Sequence, residues 1–358
     1  MIEGINRKQS QWHKETRSNI QVKMNILENI SLKPFNSFGI DAKARFFARF
    51  SSVEMLAELL SERKFPLLIL GGGSNILLTK DFDGFVLKNE LRGIELIRED
   101  DDHYYIKVMA GENWHQFVMH CIEHNYAGVE NLSLIPGNTG ASPMQNIGAY
   151  GVDIKDVFYE LEAFHLTEHT IVKFNVTDCQ FGYRESIFKK KYKGDFVILN
   201  ITFRLRKRPL FNTSYGAIEQ ELERMDVREL SIQNISQAVI NIRSSKLPDP
   251  SVIGNAGSFF KNPVITKLQY ETLVKSFPAI PGYTSGEDRI KLAAGWLIEQ
   301  CGWKGYRKGD AGCYAKQALV LVNYGKASGQ EILSLSAEIT QSVQDKFGVT
   351  LETEVNIL

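Results

Sequence analysis

Three segments carry side chains placed where chemistry is plausible. Phe181-Gly182-Tyr183-Arg184-Glu185-Ser186 places a guanidinium directly after a glycine and a tyrosine, a setting suited to gripping a carboxylate through two parallel hydrogen bonds. Asn255-Ala256-Gly257-Ser258-Phe259-Phe260-Lys261-Asn262-Pro263 puts a hydroxyl among small residues and beside two aromatic rings that would shield it from bulk water. Near the C-terminus, Glu352 and Glu354 alternate with apolar residues, which in a strand sets both carboxylates on one face. Each has a plainer reading. An isolated arginine is usually a surface ion-pair residue, a serine between aromatics is usually just hydrogen-bonded, and alternating glutamates usually mark the wet face of an edge strand.

Two loops offer ligand-binding backbone. Gly71-Gly72-Gly73-Ser74-Asn75 follows the apolar run Pro66 to Leu70, and consecutive N–H groups in such a turn can cradle a phosphate. Glycines also simply make tight turns, so this signal is weak alone. It is not the dinucleotide fingerprint, because Ile76 occupies the place of the third glycine, and a Rossmann fold is disfavoured. The second loop, Ile135 to Gly151, is more specific. Pro136, Gly137, Gly140, Gly148, Ala149 and Gly151 allow close approach of a ligand to backbone. Ser142, Gln145 and Asn146 supply neutral hydrogen-bonding groups suited to an isoalloxazine edge or a pyrophosphate, and Tyr150 adds an aromatic face. A flexible linker would hardly combine Met144, Ile147 and Tyr150 with so many small residues.

His120-Cys121-Ile122-Glu123-His124 matches a zinc-site pattern of some peptidases. The neighbouring Trp114, Phe117, Val118, Cys121 and Ile122 form the buried face of a helix, leaving both histidines beside it toward solvent. No metal site is expected.

The elements that must carry these residues alternate between helix and strand periodicity. Val53, Leu56, Leu59 and Leu60 mark a short helix opened by Ser51-Ser52-Val53-Glu54 as a capping box. Strands are expected at 66–70, 84–88, 104–110, 161–166, 170–175 and 196–205. Helices are expected from Ile232 to Ile242, from Lys291 to Cys301 and from Glu331 to Phe347, the last started by Ser328 and stopped by Gly348. A final strand is expected over Val349 to Ile357. At 358 residues the chain is long enough for about two or three cores. The composition, 43% hydrophobic and 23% charged, is that of ordinary globular domains. The 42 basic and 42 acidic residues cancel, so nothing favours nucleic acid or an acidic membrane surface. Four scattered cysteines and the lack of a secretory or spanning segment fit a reducing cytoplasm. The boundaries expected are a disordered arm over 1–23, a first region over 24–207 with lobes at about 24–95 and 96–207, and a second region over 208–358.

In this order, the motifs at Ile135 to Gly151, Phe181 to Lys189 and Lys246 to Pro263 resemble the UDP-N-acetylenolpyruvoylglucosamine reductase family, also called UDP-N-acetylmuramate dehydrogenases, over about Leu32 to Leu358. The segment holding Tyr283 and Lys291 to Trp296 is similar to the longer, type I branch. The resemblance implies an α+β fold: a two-lobed FAD-binding region of the vanillyl-alcohol-oxidase type plus a smaller α+β substrate domain. It implies FAD, bound non-covalently by the two glycine-bearing loops, with NADPH as co-substrate and UDP-N-acetylglucosamine enolpyruvate as substrate, alternating in a ping-pong cycle. Arg184, Ser258 and Glu354 match the catalytic trio, Ser258 as proton donor, with Glu352 as the alternative to Glu354. Tyr183, Tyr215, Lys246, Asn262, Tyr283, Lys304 and Gln317 match positions that bind the UDP-sugar or NADPH, and Tyr283 with Lys304 is suited to clamping a pyrophosphate. A cytoplasmic monomer in peptidoglycan synthesis is expected. The N-terminal arm is extra to the pattern, and Cys179 and Cys313 have no assignable role. The rival readings are a flavin oxidase of the same fold and a non-catalytic nucleotide-binding protein.

Overall fold

The computed structural model describes residues 25–61, 65–214 and 216–358. The arm over 1–23 and Tyr215 lie outside them.

The N-terminal lobe is a mixed sheet in the order Leu27–Ser31, Lys43–Phe50, Phe82–Asn89, Leu67–Leu70. The first pair is antiparallel and the other two are parallel. The helix Val53–Ser61 makes the crossover between parallel strands and buries Leu56, Leu59 and Leu60, the stripe its sequence predicts. Its cap is Ser52, whose Oγ accepts the Met55 N–H at 3.1 Å. The glycine loop leaves the C-terminal end of Leu67–Leu70, where a parallel strand delivers backbone to a ligand crevice.

The second lobe is a fully antiparallel sheet in the order Ile171–Asn175, Phe158–His165, Phe196–Arg206, His103–Met109, Ile94–Glu99. Its covered face packs on the helix Trp114–Glu123, whose Trp114, Phe117, Val118, Cys121 and Ile122 are all buried. The long loop lies across this lobe and is not slack. Gly140 N–H donates to Ala110 O, Thr139 N–H to Glu112 O and Trp114 N–H to Gly137 O, so its backbone groups are paired as buried groups must be.

Two antiparallel sheets build the C-terminal part: Gly254–Ser258, Val320–Asn323, Ala311–Cys313, Arg307–Lys308, and Val264–Thr266, Arg289–Leu292, Gly282–Thr284. The long helix Gly329–Phe347 starts at a capping box between Ser328 and Glu331 and ends at a left-handed Gly348, as read from the sequence. Packing crosses residue 208 in both directions. One apolar core contains Leu32, Phe47, Leu70 and Val86 of the first lobe together with Phe259, Leu297, Leu335 and Val355. The helix Ile232–Lys246 leans on the second lobe instead, with Ile232 in that core and Ser236 Oγ 2.8 Å from Ser133 Oγ.

Two expectations are corrected. Lys291 to Cys301 is not one helix, because Arg289–Leu292 pairs with strands on both sides and the helix begins only at Ala294. The segment Val349 to Ile357 is not one strand. It passes from one partner to another: Lys261 N–H to Glu352 O at 2.9 Å and Glu354 N–H to Phe259 O at 2.8 Å, then Asn356 N–H to Asn75 O at 3.1 Å. Both glutamates flank the bridge of Thr353 to Phe260, and the chain changes partner only after Glu354. Glu354 has 15% of its side chain exposed and Glu352 has 74%.

Among the described residues no helix is long and apolar enough to cross a membrane, and no group of three or more acidic, histidine or cysteine residues is placed to hold a metal ion.

Candidate active site

A cavity of about 320 Å³ opens where the glycine loop, the long loop, the end of the strand Gly254–Ser258 and the C-terminal segment converge. Arg184, Ser258 and Glu354 all line it, although more than 70 residues separate each from the next in sequence.

Arg184 has a left-handed backbone, φ +54°, costly for a residue with a side chain and held only where surroundings enforce it. Its Nη2 donates to Gly148 O, its Nη1 lies 3.4 Å from Asn146 O, and its Nε is 3.3 Å from Glu354 Oε1. Burial pushes the Glu354 carboxyl above its ordinary range, while Arg184, Lys189 and Lys261 pull the other way. Ser258 is half-buried and follows Gly257 at φ +69°. Phe259 and Phe260 turn into the shared core, so the rings fix the strand end rather than roof the hydroxyl. Because the Phe259 carbonyl accepts the Glu354 N–H, acid and hydroxyl are positioned by one backbone contact.

Asn75 joins these groups to the loops. Its amide donates to Gln145 Oε1 at 2.8 Å and to Glu354 O at 3.3 Å, and its carbonyl receives both the N–H and the side chain of Asn356. The loops themselves touch: a side chain at Gly72 would come within 2.7 Å of Gly137 Cα, and one at Gly137, φ +112°, within 2.5 Å of Ser74 Oγ. Ser74 Oγ donates to Pro136 O at 3.2 Å.

Residues 45–174 match the model of an FAD binding domain family. Residues 249–358 match that of the UDP-N-acetylenolpyruvoylglucosamine reductase C-terminal domain. Curated relatives named UDP-N-acetylenolpyruvoylglucosamine reductase include those of Flavobacterium johnsoniae and Amoebophilus asiaticus, each 50% identical, covering 94% of this chain and 100% of the relative. The chain belongs to the UDP-N-acetylenolpyruvoylglucosamine reductase family. The fold agrees with a solved UDP-N-acetylenolpyruvylglucosamine reductase from Thermus caldophilus, with a TM-score of 0.65 at 21% identity over 94% of this chain and 98% of that one.

The cavity fits the FAD that a member of this reductase family carries. Ser142 lines it, and its Oγ is buried with no hydrogen-bond partner, a costly state for a hydroxyl unless a ligand completes it. Among the described residues the N–H groups of Gly72, Gly73 and Ser74 make no hydrogen bond, and the glycines leave the space that side chains would fill. Gly71 to Asn75, Pro136, Ser142, Gln145 and Gly148 line the cavity. Gly137, Gly140, Asn146, Ala149, Tyr150 and Gly151 stand behind it and shape the loop. Gly140 abuts Ala110, Gly151 abuts Asn212, Asn146 Nδ2 donates to Gly182 O at 2.9 Å, and the Tyr150 carbonyl accepts from Asn131.

The positions matched to substrate binding in the reductase family are more dispersed. Tyr183 and Asn262 line an adjoining recess of about 400 Å³ with Lys261 and Glu352, and Asn262 Oδ1 accepts the Ala294 N–H at 3.0 Å. Lys246 is exposed at the end of its helix. Tyr283 is 58% exposed on the strand Gly282–Thr284. Lys304 pairs with Glu299 at 2.9 Å, and Gln317 Oε1 accepts from Leu319 at 3.3 Å. None of these six lines the main cavity. The His120 and His124 rings lie 4.1 Å apart, tilted by 31°, and His124 Nδ1 is 2.8 Å from His120 O.

Two charged residues of the site were not legible beforehand. Arg243 lines the cavity, its Nε donating to Leu134 O at 3.2 Å. Burial lowers its pKa and the Tyr150 phenol opposes this. Its position in the last turn before the loop-rich stretch at Ser244 was the available signal. Asp153 lies 3.8 Å from Arg184 Nη1; it adjoins the long loop, but only the fold brings it to the arginine.

Proposed function

We propose that this protein reduces UDP-N-acetylglucosamine enolpyruvate to UDP-N-acetylmuramate with NADPH, through bound FAD, in the synthesis of peptidoglycan precursors. The convergence of Arg184, Glu354 and Ser258 on one cavity walled by both glycine-bearing loops is the observation that carries this reading. Bound FAD supplies hydride storage between the two substrates. The chain's own groups do the rest. Reduction of a vinyl ether conjugated to a carboxylate develops enolate charge, and Arg184, already oriented by two carbonyls and a carboxylate, can stabilise it without reorganising. Glu354, whose carboxyl burial pushes above its ordinary range while it faces Arg184 Nε, can in its protonated form hydrogen-bond the same carboxylate. Ser258 supplies the proton to the carbon that bears the carboxylate; a hydroxyl is a weak acid, but an enolate carbon is a strong base and proximity lowers the demand.

The N-terminal 24–207 would hold the flavin and 208–358 the UDP-sugar, with Tyr183, Asn262 and the more distant Lys246, Tyr283, Lys304 and Gln317 on its path. We place the enzyme in the cytoplasm as a monomer. Anaerobic addition of NADPH should bleach the yellow protein, and subsequent UDP-N-acetylglucosamine enolpyruvate should restore the colour with one equivalent of UDP-N-acetylmuramate formed. Rapid turnover with oxygen and no response to the UDP-sugar would identify a flavin oxidase instead.

A further inference from the structure

We propose that Asp153 is a positioning residue for Arg184, fixing the guanidinium from the end opposite Glu354; the inference rests on the reading of Arg184 as the group that receives the substrate carboxylate. The short hairpin Gly148–Ala149 and Val152–Asp153 pairs Gly148 directly with Asp153. Both residues of that pair address the same arginine: the Gly148 carbonyl accepts from Nη2, and Asp153 Oδ1 lies 3.8 Å from Nη1. A side chain at Gly148 would be 1.7 Å from Asp153 Oδ1 and 3.0 Å from Arg184 Nη1. Glycine at this position is therefore what lets carboxylate and guanidinium meet across the hairpin.

Arg184 needs such holding. Its left-handed backbone is not one an arginine adopts unaided, and apart from Asp153 its guanidinium meets a carboxylate only at Nε, its two Nη groups facing neutral carbonyls. Glu354 at Nε, 3.3 Å, and Asp153 at Nη1 pull on opposite ends and define the plane. Of the five N–H donors, Nε faces Glu354 and one each on Nη1 and Nη2 goes to the carbonyls of Asn146 and Gly148. Two donors stay uncommitted for an incoming carboxylate. Asp153 itself is half-buried and does not line the cavity, so it acts through the arginine.

The Asp153 backbone N–H also donates to Asp156 Oδ2 at 2.8 Å at the start of the turn Ile154–Asp156. Asp153→Asn leaves that bond in place and removes the charge, asparagine being as acceptable as aspartate at such a position. Calorimetric titration of the oxidised, FAD-loaded enzyme with UDP-N-acetylmuramate, which bears the carboxylate, and with UDP-N-acetylglucosamine, which lacks it, reads the effect apart from turnover. Asp153→Asn should weaken the first by about tenfold, roughly 1.4 kcal/mol, and the second by less than about twofold. Equal weakening of both, or none, overturns the proposal. Failure of the wild type to bind either sugar would sink the functional reading, and the pairing is then decided without ligand. In urea unfolding, Asp153→Asn and Arg184→Gln should together shift the midpoint by less than the sum of their separate shifts; additive shifts overturn it.

Discussion

At Ser258 the question is which half of the reaction a single hydroxyl serves. A proton donor acts only after hydride reaches the substrate, so Ser258→Ala should keep its flavin and be bleached by NADPH at near wild-type speed. Recovery of colour with the UDP-sugar should slow by about 10²–10⁴-fold, the usual loss for a general acid. Ser258→Cys should retain more, because a thiol can donate from nearly the same place. Stopped-flow traces of the two halves decide it: normal recovery in the alanine variant removes Ser258 from the chemistry. Glu354 allows a second test. Its folded-state pKa is raised above 4.5 by burial, so the native protein binds this proton more tightly than the unfolded chain, and the group's contribution to stability is lost as pH rises from 4.5 through the raised value. Glu354→Gln lacks that titration. Its urea midpoint should gain on the wild type across that window, and a constant difference would show that the carboxyl is not perturbed in the fold. Arg184, Ser258 and Glu354 were legible through the resemblance of their segments to the reductase family, since by residue type alone each kept a plainer reading. Asp153 and Arg243 were not, because an acid after a glycine loop and a base in a helical turn resemble ordinary surface charges until the fold turns them inward.

Among the elements, the two loops depend on each other. Gly72 against Gly137 and Asn75 against Gln145 make one wall from segments about 65 residues apart in sequence. Ser142 sits in that wall with its hydroxyl buried and unpaired. Removing it should leave the apo-protein as stable or slightly more so, since an unsatisfied buried group is a cost. FAD should nevertheless bind Ser142→Ala about tenfold more weakly, the worth of roughly one hydrogen bond. Fluorescence titration of the apo-protein against its melting temperature separates these effects; a large loss of apo stability with unchanged FAD affinity would make Ser142 structural. The helices with complete signals, such as Gly329–Phe347 with Ser328 and Gly348 at its ends, were readable from sequence. Arg289–Leu292 was not, because its apolar residues continue in helical spacing into Ala294–Gln300 and only pairing on both sides makes it a strand. The last segment misled for a similar reason: alternation marks a strand, but cannot show that its hydrogen bonds divide between two partners.

Across the whole molecule the decisive fact is that the flavin-side lobe and the C-terminal part share one core. Phe47, Leu70 and Val86 pack in the same cluster as Leu297, Leu335 and Phe347, and the strand Ile76–Leu77 is completed by Asn356–Ile357. Charge balance and chain length could not reveal this, because the boundary expected near 208 is a local feature of the sequence, whereas contacts across it are made only in the fold. Linked packing implies linked unfolding. Leu335, 2% exposed and on a helix face away from the cavity lining, should on change to alanine destabilise the protein by about 2–5 kcal/mol, through lost burial plus the cavity left behind. If the core is one cooperative unit, the loss must be felt at the glycine loop, which grows out of Leu70. Urea titration followed by flavin release and by the emission of Trp296 and Trp303, both packed on this core, should therefore give midpoints that fall together in Leu335→Ala. A variant in which tryptophan emission shifts while flavin release stays at its wild-type midpoint would mean that the C-terminal part unfolds independently and that the shared core does not couple it to the flavin loop.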